Sequence, residues 1–306
     1  MANANEIKTR IQSVQDTAKI TNAMYLISST KMQRAKRSLE NTRPYYEALR
    51  REIERVFASA DDPESKYFYD PKKKNPDDKI ACLVITADRG LAGSYNMNVI
   101  KEAERMFREH PKTKFFVVGD YGRHYFERHG IPYVKSFDYT ASVPHIREAR
   151  AISDVLLDSY DSGEINMVYV IYTVMKTAIT SEVDTIRLLP FDRGDFMSAE
   201  EKHEKELGRF EFFPSSDEVL DNALRSIETG FVYSTLVYSF CAEQNARMGA
   251  MDSANKNAEK LLAELRLQFN RARQAGITQE ITEIAAGELA QKRKRIKKQN
   301  EEVETS

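Results

Sequence analysis

The chain has 306 residues, enough for roughly one to three domains, and 46 Lys plus Arg against 47 Asp plus Glu leave a net charge of −1. Mean hydropathy is −0.57, and no stretch approaches the ~18 apolar residues that a membrane span needs. The N-terminus starting at Met1 has no basic region followed by an apolar core, so we expect no secretory signal. Cys82 and Cys241 lie far apart in apolar stretches, which predicts buried reduced thiols and excludes a disulfide scaffold or a zinc site.

Proline and glycine divide the chain into three parts. All nine prolines lie between Pro44 and Pro214, and the first glycine is Gly90, so the two ends read as long helices and the middle as α/β structure. Charge follows the same division: residues 1–60 hold 11 basic and 6 acidic side chains, and residues 214–306 hold 13 and 14. The remaining 22 basic and 27 acidic residues fall in the middle. A near-neutral total therefore conceals a basic N-terminal helix and an acidic middle.

The N-terminal segment predicts a helix over about 5–58. Its apolar residues recur at steps of three and four along Ile7, Ile11, Val14 and Ala18, and then along Ile20, Met24 and Ile27. A helix this long needs a partner helix along its side. Arg43-Pro44 predicts a bend or break, followed by a further helix over 45–58. We assign residues 1–60 to this helical part and the proline-rich, highly charged residues 61–78 to a linker loop.

Residues 79–213 alternate between apolar runs and amphipathic stretches, which predicts an α/β domain with a mostly parallel sheet. The first apolar run, at 80–86, suits a strand buried on both faces. The predicted strands are 80–86, 114–118, 133–137, 166–173 and 183–189, and the predicted helices are 99–110, 121–129 and 146–159.

Residues 214–290 predict a second long helix. Its apolar positions advance in four-three steps through Leu220, Leu224, Ile227, Phe231, Ser234, Tyr238 and Cys241. A mean spacing near 3.5 is typical of a supercoiled helix, and its natural partner is the N-terminal helix. The predicted fold is an antiparallel coiled coil of the N- and C-terminal helices with an inserted Rossmann-like α/β domain. Residues 291–306, with the basic run 292–298, are expected to form a charged tail.

No pattern in the chain predicts catalytic chemistry or a bound cofactor. The loop 86–96 follows the first strand, but Gly90 and Gly93 match no phosphate-binding motif, and Asp88 and Arg89 are expected to form a structural turn. The five histidines have no metal-ligand spacing, and no activated nucleophile is recognisable. Two alternatives stay open: a coiled-coil adaptor or nucleic-acid scaffold using the basic N-terminal helix, and a Rossmann-like enzyme using Asp88-Arg89-Gly90.

Motifs at both ends and in the middle resemble the gamma subunit family of F-type ATP synthases. They are Ile7-Lys8-x-Arg10-Ile11-x-Ser13-Val14, Lys19-Ile20-Thr21, Ala23-Met24, Arg43-Pro44-Tyr45, Asp88-Arg89-Gly90-Leu91, Ala246-Arg247-Met248 and Asn270-x-Ala272-Arg273-Gln274-Ala275-x-Ile277-Thr278-x-Glu280. The resemblance covers the whole chain. Glu288 and the extension to Ser306 depart from the family pattern, and Arg209-Phe-Glu-Phe-Phe213 stands where relatives often carry tyrosines and an acid.

The resemblance implies a non-catalytic, mechanical subunit of a bacterial proton-transporting ATP synthase. One copy would turn inside three alpha and three beta subunits, while the α/β domain contacts epsilon and the c-ring of the membrane sector and receives torque from proton flow. The implied location is the cytoplasmic face of the cell membrane, without cofactor, metal or nucleic acid. The implied contacts with the alpha/beta ring are Met24, Lys31, Arg34, Arg273, Gln274, Thr278 and Glu280, and those on the c-ring and epsilon side are Phe210 and Phe212.

Overall fold

The structure, a computed structural model, describes residues 4–59, 65–69, 79–177, 180–196 and 212–304, without the side chains of 58–59 and 293–304. Two long helices, α1 (Ala4–Ser59) and α5 (Ser216–Glu304), flank the other elements in sequence. Between them lie β1 (Ile80–Ile85), α2 (Tyr95–Glu109), β2 (Lys114–Val118), α3 (Asp120–Arg128), α4 (Ile146–Asp161), β3 (Met167–Met175), β4 (Ser181–Leu189) and a 3₁₀ turn at Arg193–Asp195. The basic run expected in a charged tail is therefore part of helix α5.

The two long helices pair in an antiparallel manner. Contacts divide the chain into two units, Met1–Ala23 with Asp252–Ser306 and Met24–Met251. In the larger unit Met32 lies against Cys241, and the Ser38 hydroxyl lies 2.9 Å from the Tyr233 hydroxyl. Residues later in α1 therefore contact residues earlier in α5, which is the antiparallel arrangement. In the smaller unit Thr21 donates a hydrogen bond to Asn255.

Helix α1 runs through Pro44 without interruption, so the predicted break is wrong. Proline removes one backbone donor and disturbs one turn, a local cost of about 3 kcal/mol. The residues after it offset this cost, because Ile53 and Val56 are fully buried in the main core. Tyr46 packs closely against Gly230 of α5.

The sheet has the order β2-β1-β3-β4, with β1 parallel to β2 and β3 and only the edge strand β4 antiparallel. All six residues of β1 are buried, as its continuous apolar run predicts. The predicted strand over 133–137 is wrong. Its apolar side chains cover the core instead, with the Phe137 ring packed edge-on against Phe116 at 5.2 Å between centroids. Val134 N–H donates one hydrogen bond to the Phe115 carbonyl.

The main core lies where α5, α1 and α4 meet the sheet. Of the predicted α5 stripe, Leu220 and Leu224 are buried, but Phe231 and Tyr238 are each 42% exposed. Other elements cover this part of α5 on several sides and not along a single coiled-coil seam. Which of its side chains are buried therefore depends on the surrounding elements and not on the heptad spacing. Residues 65–69, expected to belong to a surface linker, also contribute the buried Tyr67 to the core.

Candidate partner-binding surfaces

The carboxyl ends of β1 and β2 form the edge at which parallel α/β sheets ordinarily bind ligands. Here the local groups bond to one another. The Thr86 hydroxyl donates to the Val118 carbonyl at 2.9 Å, and Gly122 N–H donates to that hydroxyl at 3.0 Å. Asp88 Oδ1 accepts Ala141 N–H at 2.8 Å and Asp120 N–H at 3.3 Å. Asp88 therefore joins the loop after β1 to the start of α3 and to the segment around Ala141, a wider structural role than the turn predicted for it.

Helix α5 closes the same edge from outside the sheet. Thr173 N–H donates to the Ser239 hydroxyl at 3.1 Å, and Glu243 pairs with Arg247 at 2.6 Å. Arg247 also donates to the Gly90 carbonyl at 3.2 Å, which ties α5 to the loop after β1. Burial raises the pKa of Glu243, while Arg247 opposes that shift. A cavity of about 160 Å³ remains at this edge, so the position used for a nucleotide in enzymes of this fold class is largely filled by the chain itself.

The first predicted partner surface lies on α1. Lys31 and Arg34 are exposed, and Met24 is half-buried. Ile27, 54% exposed, shares their face, because positions separated by four and three residues lie on one side of a helix. The sequence stripe through Met24 and Ile27 is thus a real helical face, but it points largely away from the chain's own core. Leu26, which is 57% exposed, is a further large apolar side chain on α1 that the sequence stripe did not include.

The second predicted surface lies on α5 beyond its pairing with α1. Leu265 is buried and Ala272 half-buried, and every described side chain from Arg273 to Lys292 is exposed. The predicted residues Arg273, Gln274, Thr278 and Glu280 all lie in this stretch, which is about 30 Å long at 1.5 Å per residue.

Large apolar side chains interleave with these predicted polar contacts. Sequence reasoning did not assign them, although the first three follow four- and three-residue steps. They are Ile277, Ile281, Ile284 and Leu289, which are 49–72% exposed. A contiguous exposed apolar face of this kind marks a protein interface.

The third predicted surface involves the segment before α5. Phe210 lies outside the described residues. Phe212 is half-buried and packs against the main core, whereas its neighbour Phe213 is 92% exposed. Of the two described phenylalanines, Phe213 therefore presents the larger surface to a partner, and the sequence alone did not distinguish them.

Within the described ranges, no helix is long and apolar enough to cross a membrane. Nor does the described part of the chain hold a group of three or more His, Cys, Asp or Glu side chains suited to a metal ion. Cys82 and Cys241 are both buried free thiols, as predicted. Paired long helices, a closed α/β domain and exposed mixed faces together define a helical interaction subunit of a larger assembly.

Comparison with known proteins identifies the family. The ATP synthase family model matches residues 3–290. The ATP synthase gamma chain of Acetivibrio thermocellus is 40% identical over 296 residues, covering 95% of this chain and 100% of that protein. The gamma chain of Ruminiclostridium cellulolyticum is 39% identical, covering 94% and 98%. A sodium ion specific ATP synthase gamma chain from Acetobacterium woodii is 33% identical, covering 93% and 97%. The chain therefore belongs to the ATP synthase gamma chain family.

Solved structures agree on the fold. A chain of the Euglena gracilis mitochondrial ATP synthase, in its OSCP/F1/c-ring assembly, matches with a TM-score of 0.63 at 16% identity and covers 94% of each chain. A chain from the central stalk and c-ring of the Tetrahymena thermophila mitochondrial ATP synthase matches with a TM-score of 0.54 at 21% identity, covering 77% of this chain and 99% of that one. The predicted fold class is confirmed, and the adaptor or nucleic-acid alternative is not supported.

Proposed function

We propose that this chain is the central rotor shaft of a bacterial F-type ATP synthase. It couples ion flow through a membrane ring of c subunits to ATP synthesis or hydrolysis at sites formed by three alpha and three beta subunits. The proposal is carried by family membership over residues 3–290, together with the exposed mixed face of α5 from Arg273 to Lys292. In this role the chain has no catalytic site of its own and acts mechanically, at the cytoplasmic face of the membrane.

The mechanism follows from asymmetry. A single chain presents different side chains to three chemically identical sites, so each site meets a different surface at any rotor angle. A contact that favours one conformation of a site shifts that site's population by its differential binding free energy. The face of α1 supplies such differences within three turns, because apolar Ile27 is followed by basic Lys31 and Arg34. Basic side chains facing acidic loops of the ring would mainly fix orientation.

On α5, polar and apolar contacts alternate along one broad face. Arg273, Ile277 and Glu280 follow four-three spacing, and Gln274 with Thr278 lies beside them. We assign this face to contacts with the alpha/beta ring. Its apolar side chains can slide over the inner surface of the ring during rotation, while its polar groups make contacts that depend on the rotor angle. We assign Phe212 and Phe213 to the contacts with epsilon and the c-ring, which transmit torque.

The test is recovery of the assembly. A tagged full-length chain is purified from detergent-solubilised membranes, and we expect three alpha and three beta subunits with ATPase activity and one copy of this chain. Recovery of the chain alone contradicts the proposal. Arg273→Ala is expected to reduce ion pumping per ATP hydrolysed, whereas the matched charge removal Lys101→Ala, on an exposed face of α2, leaves it unchanged. Equal effects of the two changes contradict the assignment of the α5 face.

A further inference from the structure

Glu228 is the most unusual charged residue of the described chain. It lies on α5, its exposure is 0%, and neither carboxyl oxygen has a hydrogen-bond partner within the described residues. Leu224, Ile227 and Val232, its neighbours along the helix, are buried as well. A carboxylate without water or partner is far less stable than the neutral acid, so this site favours the protonated form.

Two charged groups act on Glu228 from the helices around it. Burial is the main cause that raises the pKa of Glu228, to about 8, and Asp154 of α4 raises it further. Arg225, one turn earlier on α5, acts in the opposite direction. Since Arg225 and Glu228 are three residues apart, they are neighbours on the helix surface. An ionised Glu228 would therefore find its nearest countercharge in Arg225.

Arg225 is already engaged elsewhere. Its Nη1 atom lies 2.7 Å from Asp161 Oδ2 at the end of α4 and donates to the Tyr67 hydroxyl at 2.9 Å. Asp161 also accepts from Tyr67 at 3.0 Å and pairs with Lys66 at 2.9 Å. Arg225 thereby ties α5 to α4 and to the segment 65–69.

Other contacts also hold the segment 65–69: the Ser65 hydroxyl donates to Asp221, the Tyr160 hydroxyl donates to the Lys66 carbonyl at 3.1 Å, and Phe68 is buried in the main core. Tyr69 N–H donates to the Phe191 carbonyl at 2.8 Å, and Phe191 N–H donates to the Tyr67 carbonyl at 2.7 Å. Arg225 is one of several groups that hold Tyr67, beside Asp161 and the stacked ring of Tyr160, so its loss from the cluster would weaken these bonds without releasing the segment.

We propose that Glu228 is a proton-controlled switch: as a neutral acid it leaves Arg225 on Asp161 and Tyr67, and after losing its proton to water it draws Arg225 away and loosens residues 65–69. The O–H bond of Glu228 is the only covalent bond broken, and Asp161 keeps Tyr67 and Lys66 as partners. The switch concerns a region separate from the alpha/beta-ring faces, so it stands independently of the proposed rotor function.

Hydrogen–deuterium exchange of the full-length chain tests the switch. Peptides covering 65–69 and 189–191 are compared between wild type and Glu228→Gln at each pH, so that the intrinsic pH dependence of exchange cancels. With a midpoint near 8, about a tenth of the molecules are switched at pH 7 and about nine-tenths at pH 9. We expect wild type to exchange at least about fivefold faster than Glu228→Gln at pH 9 and equally at pH 6.

Matched variants make the result decisive. Glu218→Gln, an exposed change on the same helix, should keep the wild-type response, and Arg225→Gln should exchange rapidly at both pH values. The proposal is overturned if Glu228→Gln keeps the wild-type pH response, or if Arg225→Gln leaves the segment protected. It is also overturned if peptides from β1 lose protection in parallel, because the transition is then global unfolding.

Discussion

Gly230→Ala tests a close approach of the two long helices. A Cβ atom at Gly230 would stand 2.7 Å from Cζ of Tyr46 and nearer still to two other carbons of that ring. The Tyr46 ring is half-buried and packs edge-on against Tyr45 with centroids 5.2 Å apart, so the added Cβ would displace the ring from its present contacts. In an open helix, alanine is more stable than glycine by about 1 kcal/mol. Here, overpacking of about 1–3 kcal/mol opposes and exceeds that gain.

We therefore expect Gly230→Ala to lower the free energy of unfolding by about 1–2 kcal/mol. Gly249→Ala is the control on the same helix, since nothing lies within 4 Å of its added Cβ, and it should raise the free energy by about 0.5–1 kcal/mol. Urea unfolding of the full-length variants, followed by circular dichroism, measures both.

A second background isolates the cause. In Tyr46→Ala the obstructing ring is absent, so adding Gly230→Ala should stabilise rather than destabilise, a coupling that a double-mutant cycle measures directly. Equal stability of Gly230→Ala and Gly249→Ala in the wild-type background would refute the packing argument. So would an unchanged penalty in the Tyr46→Ala background.

Three further predictions concern the loop joint, the rotor face and the C-terminal extension. Asp88→Ala removes the acceptor for Ala141 N–H and Asp120 N–H, so unfolding free energy should fall by about 1–3 kcal/mol, whereas its exposed neighbour Arg89→Ala should change it by less than about 0.5. Met24→Lys adds a charge to the proposed ring contact and should reduce ions pumped per ATP hydrolysed in membrane vesicles; a wild-type ratio contradicts the assignment. Deletion of residues 292–306, beyond the family match, should leave assembly and ATPase activity intact, and failed assembly would reveal a further role for this extension.

Local pattern was sufficient for most elements. The strand at Lys114–Val118 was predicted at its observed bounds, and α4 begins at the predicted Ile146, because apolar runs and amphipathic stretches are short-range signals. The strand predicted over 133–137 is wrong because an apolar run indicates that a segment is buried, but not that it pairs with another strand. The break predicted at Pro44 is wrong because the proline penalty is local, whereas contacts such as Tyr46 against Gly230 of α5 come from residues far along the chain.

The candidate surfaces also show that local sequence pattern does not identify which elements will be in contact. Helical spacing through Met24 and Ile27 identified an apolar face on α1, but periodicity does not say whether its partner lies in the same chain. The structure leaves Ile27 and Leu26 exposed while burying Ser28, so the small residue faces the core and the large ones face outward. Only the tertiary structure distinguishes a face buried within the chain from one presented to other subunits.

The sequence by itself determined the two long helices, the mostly parallel sheet between them and membership of the gamma chain family, since these depend on spacing, composition and local motifs. Tertiary structure alone decided that α5 closes the sheet edge through Ser239 and Arg247, that Gly230 admits the Tyr46 ring, and that Glu228 lies buried beside Arg225. The physical reason is the separation along the chain of the residues that come into contact. These features come from the packing of surrounding elements, much of it from residues far apart in the chain, and no short window of sequence records which residues will meet.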